Sequence, residues 1–566
     1  MLKFGGSVLL DEQRLRIAVH EIYRWRREGM RVVAVVSALA GRTDELIVKC
    51  ATLSDSASRL SKASLIAAGE NESASLLGVH LDRAGLSALV LSPASIEFVA
   101  NGDPLNANPL SVNVGKLEVS LEENGIVVVP GFVAINESGA TVTLGRGGSD
   151  LSAVFLANAL KADRCRLIKD VDGLYEHDPA GNSPPPRRFK CAGYGDALDT
   201  DGSIIQHKAV EYAKLNRLEF ELGGFNSVFP TLIGSLQTKF DDEYQECPPT
   251  SVTICGLGTV GGGVVELITQ IPDQFTIDWA GSRSPEKYES QTKFVGSIQD
   301  DVVAIAGYGS DVVLELIGGV DTAAKIARCA IQNGSHVITA NKTLIANMGI
   351  CLVEEASRAG VTIRYSASVG GAAPILENVQ DLLNRVNVNP IRSLRGVLNG
   401  TGNFVLGSLS KGISYEESIA EAQRRGFAEA DPSRDIDGRD SLDKLLVIAQ
   451  EIGWKIDPLD ISLSSISDWV DSSRNLGFPV RHVARIDAKR ASVLVESIGT
   501  QEKADPLSEL ENEWNAVVIE FEDESTLVVR GKGAGRWPTS ESVLADLLEL
   551  RRNLILQTSA REVINV

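Results

Sequence analysis

Val252-Thr253-Ile254-Cys255-Gly256-Leu257-Gly258-Thr259-Val260-Gly261 is the most informative stretch in this chain of 566 residues. Its apolar start predicts a strand, its glycines form a G-x-G-x-x-G turn, and the residues beyond predict a helix. Each glycine has its own reason to be there. Gly256 permits the tight turn, Gly258 lets the backbone approach a pyrophosphate, and Gly261 lets the helix pack close to the strand. The anion would sit at the positive helix N-terminus, with Thr259 and Val260 completing the candidate cofactor-binding turn. Further strands are expected at Phe275–Ala280, Val312–Ile317 and His336–Thr339, so this part reads as a dinucleotide-binding α/β fold of the Rossmann type.

The same alternation of strands and helices precedes it. Arg31–Ser37 and Ile126–Gly131 read as strands, Ser152–Lys161 as a helix, and Arg164–Ile168 as a strand. Between the halves, Gln237–Thr250 contains Asp241-Asp242-Glu243 and Pro248-Pro249, where charge and proline oppose packing, and it reads as a linker. The length exceeds what one core organises, so at least two domains are expected. A net charge of −20 argues against nucleic acid or an anionic membrane as the main partner. Seven cysteines show no C-x-x-C pair and read as reduced thiols. With no signal peptide and no apolar run of spanning length, the expected location is the cytoplasm.

Chemistry concentrates at three places in the second half. Thr339-Ala340-Asn341-Lys342 falls at a strand's C-terminal end, the edge where open α/β sheets bind ligands. Leu398-Asn399-Gly400-Thr401-Gly402-Asn403 is a further motif. Gly426–Lys444 carries Glu429, Asp431 and Asp435, then Asp440 and Lys444 one helical turn apart on a single face. Leu445, Leu446, Val447, Ile448 and Ala449 follow, so that helix is expected to be substantially buried. A lysine among carboxylates there suits proton transfer to a developing alkoxide, although a surface salt bridge has the same spacing. With Gly531-Lys532-Gly533-Ala534-Gly535, these motifs make the half from about residue 250 onward resemble homoserine dehydrogenase.

The resemblance implies reduction of L-aspartate 4-semialdehyde to L-homoserine with NADP or NAD. It implies Lys444 as the catalytic acid with Asp440 beside it. Glu429, Asp435, Lys342 and Thr401 would contact substrate. Gly256, Gly258, Thr259, Val260, Gly261, Thr339, Lys342 and Gly535 would hold the cofactor, with Gly533-Ala534-Gly535 closing over it. Arg283, in Ala280-Gly281-Ser282-Arg283 after the second strand, stands where an acid would bind a ribose 2′-hydroxyl, and it favours a 2′-phosphate instead. A homo-oligomer through the dehydrogenase part is implied as well. Ser366 stands where the family often has a carboxylate, which weakens the case for the monovalent cation that some members bind with the carbonyls of Ser368–Ala372.

The first half contains no Walker-type loop. It offers Lys3-Phe4-Gly5-Gly6-Ser7, Thr143-Leu144-Gly145-Arg146-Gly147-Gly148-Ser149-Asp150 at a helix start, and Asp170-Val171-Asp172-Gly173-Leu174-Tyr175 after a strand. Glycines after a strand let backbone N–H groups face phosphates, and lysine adds charge. With Ser37 in Val36–Asp44, Gly69-Glu70 and Val129–Phe132, these motifs resemble the aspartate kinase catalytic domain of the amino-acid kinase family. The resemblance implies that Lys3 stabilises the transferring phosphoryl group and that Asp150 organises the site. Glu70, Arg146 and Ser37 would hold aspartate. Lys3, Gly5, Gly6, Ser7, Asp170, Asp172, Tyr175 and Lys208 would surround ATP with its Mg²⁺. Lys169 occupies a place more often held by Thr or Ser.

The expected fold is therefore α/β throughout most of the chain. An amino-acid-kinase fold covers 1–236, a linker 237–250, and a Rossmann domain 251–375, completed by 536–566. An α+β substrate and dimerisation domain covers 376–535. The room between Ile233 and Val252 suffices only for a linker, so the paired small regulatory domains of related fused enzymes are not expected. Two functions stay open: two working active sites, or a dehydrogenase with the front half as an assembly scaffold.

Overall fold

The computed structural model describes residues 1–54, 56–180, 186–200, 202, 204–241, 247–291, 296–385, 390–425, 427–428, 431–470, 479–498, 505–510 and 512–564. A nine-stranded, mainly parallel sheet organises the first part. At its centre β1 (Leu2–Phe4) lies between β2 (Val32–Val36) and β3 (Arg166–Ile168), parallel to both. These strands are fully buried, as continuous apolar runs in covered parallel sheets must be. Helices α1 (Leu15–Arg27), α2 (Ala68–Ala84) and α3 (Gly148–Ala159) cover it. Lys239–Phe240, inside the stretch expected to be linker, pairs antiparallel with Phe189–Gly193 and extends this sheet. The pairing satisfies backbone groups that composition alone would leave to solvent.

A six-stranded parallel sheet follows. Its β4 (Thr250–Cys255) begins two residues before the expected Val252 and pairs with β5 (Phe275–Gly281) on one side and β6 (Val312–Glu315) on the other. β7 (His336–Thr339) continues beyond β6. The strand order reverses at β4, so the glycine turn and the following α4 (Thr259–Ile268) sit at a topological switch point. The third large sheet has six mostly antiparallel strands, among them β8 (Ile391–Val397) and β9 (Thr526–Lys532). Helices α5 (Gly400–Leu409) and α6 (Arg439–Ile452) pack on it. The last helix, α7 (Arg536–Ile564), returns to pack along α4, as a segment completing the nucleotide fold should.

The two halves are not merely strung together. One hydrophobic core runs through Leu15, Val19 and Ile22 of α1, Val264 and Leu267 of α4, and Leu544 and Leu548 of α7. Buried polar and charged side chains cross the same seam. His20 Nδ1 lies 2.6 Å from Glu541 Oε2. Arg27 pairs with Asp546, and its Nε lies 2.8 Å from Glu377 Oε1. Pairs this deep hold register, because losing one partner strands the other in a poor solvent.

Candidate active sites

The dehydrogenase-side cluster is assembled by helix starts. Gly438, with φ of 80°, turns the chain into α6, and one helical turn stacks Asp440 over Lys444. Both are 5 % exposed, and Lys444 Nζ lies 2.8 Å from Asp440 Oδ2. Lys444 also donates to the Leu398 carbonyl at 2.6 Å. Lys342, the first residue of its own helix, pairs with the other Asp440 oxygen. Burial pushes the Asp440 carboxyl up, but Lys444 and Lys342 outweigh it and hold it well below the usual carboxylate range. For Lys342 burial works downward, and Asp440 overcomes it and raises the ammonium. Asp435 is raised, first by burial and then by the Asp440 charge.

Asn399 ties the cluster together, a role the motif did not reveal. Its Oδ1 caps α5 by accepting from Gly402 N at 2.7 Å. Its Nδ2 donates to Asp435 at 2.7 Å and to Asp440 at 2.9 Å. An Asn immediately before a strand-to-helix glycine is a recognisable cap and was the available signal. Thr401 lies in the first turn of α5 and gives its hydroxyl to the Phe427 carbonyl at 2.6 Å. Glu429 lies outside the described residues.

At the nucleotide turn, Gly256 has φ of 113°, and a Cβ there would lie 2.7 Å from the Leu316 carbonyl. At Gly261 a Cβ would collide with the Gly256 carbonyl, whereas at Gly258 nothing among the described residues lies within 4 Å. Two glycines are thus demanded by packing, and the middle one leaves an open cradle at the start of α4, the arrangement a pyrophosphate fits. Thr339 is wholly buried. Its hydroxyl donates to Glu315 Oε2 at 2.5 Å and accepts from Asn341 N at 3.0 Å, so its side chain is spent inside the fold. Glu315, not singled out by the motif, is equally buried and also accepts from Ile317 N at 2.9 Å. Burial pushes its carboxyl up to about 7. A lone carboxylate closing an apolar strand was the clue. Arg283 is exposed just beyond the end of β5, and Gly535, with φ of 121°, joins β9 to α7.

The kinase-side cluster has the same grammar. Lys3 on β1 reaches Asp150 in the first turn of α3, at 2.6 Å. Lys169, just past β3, reaches the other Asp150 oxygen at 2.9 Å. Burial raises Asp150, but Lys169 and Lys3 hold it well below the usual range. Burial lowers Lys3 to about 8 against the pull of Asp150. Lys169, a departure from the family pattern, thus stands inside the cluster. Gly5 and Gly6 follow β1 directly, and Gly5 N donates to the Ile168 carbonyl at 3.3 Å. Ser7 and Arg146 are exposed, Arg146 between Gly145 and Gly147, both with φ of 76°. Ser37 follows β2 directly, its N–H donated to Phe4 O. Asp170 is exposed, whereas Asp172 accepts from Tyr175 at 2.8 Å and from Arg188 Nε at 2.9 Å. Lys208 bonds instead to Asn106, Ala107 and Leu144, where burial lowers it.

Glu70, in the first turn of α2, is 3 % exposed, and its Oε2 has no hydrogen-bond partner among the described residues. Burial pushes the carboxyl up to about 7. An under-partnered buried carboxylate is suited to an incoming ammonium. Below pH about 7 that carboxyl is protonated and loses the attraction, so KM for an amino-acid substrate is expected to rise as pH falls through 7. A KM that is flat from pH 6 to 8 (roughly one unit either side) would remove Glu70 from ammonium binding.

Known families match three stretches of this chain. The amino acid kinase family model matches residues 1–218, the homoserine dehydrogenase NAD-binding domain 256–366, and the homoserine dehydrogenase model 374–548. The homoserine dehydrogenase of Bacillus subtilis is 34% identical over 328 residues, covering 54% of this chain and 73% of that protein. The chain belongs to the homoserine dehydrogenase family. The Pseudomonas aeruginosa enzyme is 33% identical over 320 residues, again 54% of this chain and 73% of its own length. A solved homoserine dehydrogenase from Thiobacillus denitrificans is 30% identical, with a TM-score of 0.50, covering 56% of this chain and 75% of that one. The front half belongs to the amino acid kinase family, and the chain combines kinase and nucleotide-dependent dehydrogenase domains. Among the described residues no helix is long and apolar enough to cross a membrane.

Proposed function

We propose that the chain phosphorylates the side-chain carboxylate of L-aspartate with ATP and, at a second site, reduces L-aspartate 4-semialdehyde to L-homoserine with NADPH. The observation that carries this reading is the pair of buried clusters, Lys444–Asp440–Lys342 and Lys3–Asp150–Lys169, each a lysine pair sharing one carboxylate. The open cradle at Gly258 fits a nicotinamide dinucleotide, which supplies hydride when bound. Lys444 holds a proton for the aldehyde oxygen as negative charge develops there. Asp440 keeps both lysines in place, and Asn399 holds Asp440 and Asp435 to the start of α5.

In the kinase half the acceptor carboxylate is ionised near neutrality and needs no general base. The barrier is repulsion between anions, which Lys3 and Lys169 lower where their charges converge. Mg²⁺ fits as an ion held largely by phosphate oxygens, its usual habit, with the exposed Asp170 nearby in sequence to the strand end.

Full-length protein should form aspartyl hydroxamate from aspartate, ATP and hydroxylamine, and should oxidise NADPH with the semialdehyde. Reduction without any hydroxamate would favour the scaffold reading, to which the shared core of the two halves lends support. Arg283 gives a third expectation. Its exposed guanidinium beyond β5 should favour the 2′-phosphate, so kcat/KM should be higher with NADPH than with NADH, and Arg283→Ala should narrow the ratio by about tenfold. A wild-type preference for NADH would overturn it.

A further inference from the structure

The segment Gly531–Gly535 runs from the end of β9 into α7, and its part Gly533–Gly535 is the stretch that the family resemblance implies closes over the dinucleotide. Three glycines at 531, 533 and 535 make such a loop conformationally costly to order. Residues of the kinase half hold it in one place.

The Lys532 N–H donates to the carbonyl of Gly85, just beyond α2, at 3.0 Å. The Lys532 carbonyl in turn accepts from Ala372 N at 3.0 Å, so the strand end is bonded on one side to the kinase half and on the other to its own half. Gly85 has φ of 88°, and a Cβ there would lie 2.8 Å from Lys532 Cβ and 2.9 Å from Ala372 Cβ. No side chain fits without moving the loop. Tyr23 on α1 donates its buried hydroxyl to the Gly371 carbonyl at 3.3 Å.

The first turn of α7 is gripped as well. Arg83 lies 3.8 Å from the centre of the Trp537 ring, and Arg16 lies 4.9 Å from it. Arg16 also pairs with Glu266 of α4 at 2.8 Å, and Ser540 donates to the Val260 carbonyl at 3.0 Å. The backbone of the kinase half therefore touches the closing loop at Gly85, and its side chains touch the helix that follows and the helix behind the glycine turn.

We infer that Tyr23, Arg83 and Gly85 of the kinase half are positioning residues for the dehydrogenase reaction, holding the loop at Lys532–Gly535 ready for the dinucleotide. A loop that spends less time in its closed form weakens binding in proportion, without altering proton or hydride transfer once closed. The inference rests on the proposed closing role of this loop.

The test is titration of NADPH into full-length variants by its fluorescence, together with steady-state rates. Gly85→Ala is expected to raise Kd and KM for NADPH about tenfold, leaving kcat at saturating cofactor within about twofold. Tyr23→Phe and Arg83→Ala should shift both constants in the same direction by less, with hydroxamate formation unchanged. Should Gly85→Ala fail to fold, the other two decide. Unchanged cofactor constants in folded variants, or a loss of kcat with KM unmoved, would overturn the inference. Wild-type protein that binds NADPH but does not reduce the semialdehyde would dispose of the proposed function, while the Kd comparison would still decide this point.

Discussion

Lys444→Met is expected to lower kcat for semialdehyde reduction by about 10²–10⁴-fold, the usual contribution of a positioned general acid. Methionine keeps the unbranched shape inside a helix face that is otherwise buried. It removes the ammonium that lies 2.8 Å from Asp440 and donates to Leu398 O. Asp440 retains Lys342 as a partner, so the buried carboxylate is not stranded and the fold should survive. The glycine turn is built from a different sheet, so Kd for NADPH should change little. A folded variant retaining more than roughly a third of the wild-type rate would remove Lys444 from the acid role. Asp440→Asn is a harsher change. It leaves the buried Lys444 and the half-buried Lys342 without the carboxylate they share, a loss on the order of 3–5 kcal/mol for a broken buried pair, and both activity and thermal stability should fall.

Lys3→Ala and Asp150→Ala should each abolish hydroxamate formation while semialdehyde reduction continues. Lys3 sits on the central strand with Asp150 as its partner, and Lys169 completes the group. Without Lys3 one charge that offsets anion repulsion is gone, yet Asp150 keeps Lys169. Without Asp150 two lysines face each other in a buried site, so this variant should also be the less stable. Semialdehyde reduction is the control, because the halves share a core through α1 and α7. Loss of both activities with Lys3→Ala would show that the front half acts by keeping the back half folded, and would count against phosphoryl transfer there.

The fold was legible wherever local chemistry leaves no choice. Gly256 and Gly261 are dictated by backbone approach within one turn, and the spacing of Asp440 and Lys444 follows from helix geometry alone. The resemblance carried by Gly256–Gly261, Gly426–Lys444 and Thr143–Asp150 named the families that the comparisons then matched. What the sequence did not disclose are the partners that distant segments bring. Lys342 and Asn399 meet Asp440 only because a Rossmann helix and the start of α5 converge on α6. Lys169 read as a departure until β1, β3 and α3 placed it on Asp150. The seam between the halves was the least legible feature. Tyr23, Arg27 and Gly85 lie hundreds of residues from Gly371, Asp546 and Lys532. Sequence periodicity shows that a face is apolar and is silent about which surface covers it. Which buried charge pairs with which across that seam is settled only when the whole chain has packed.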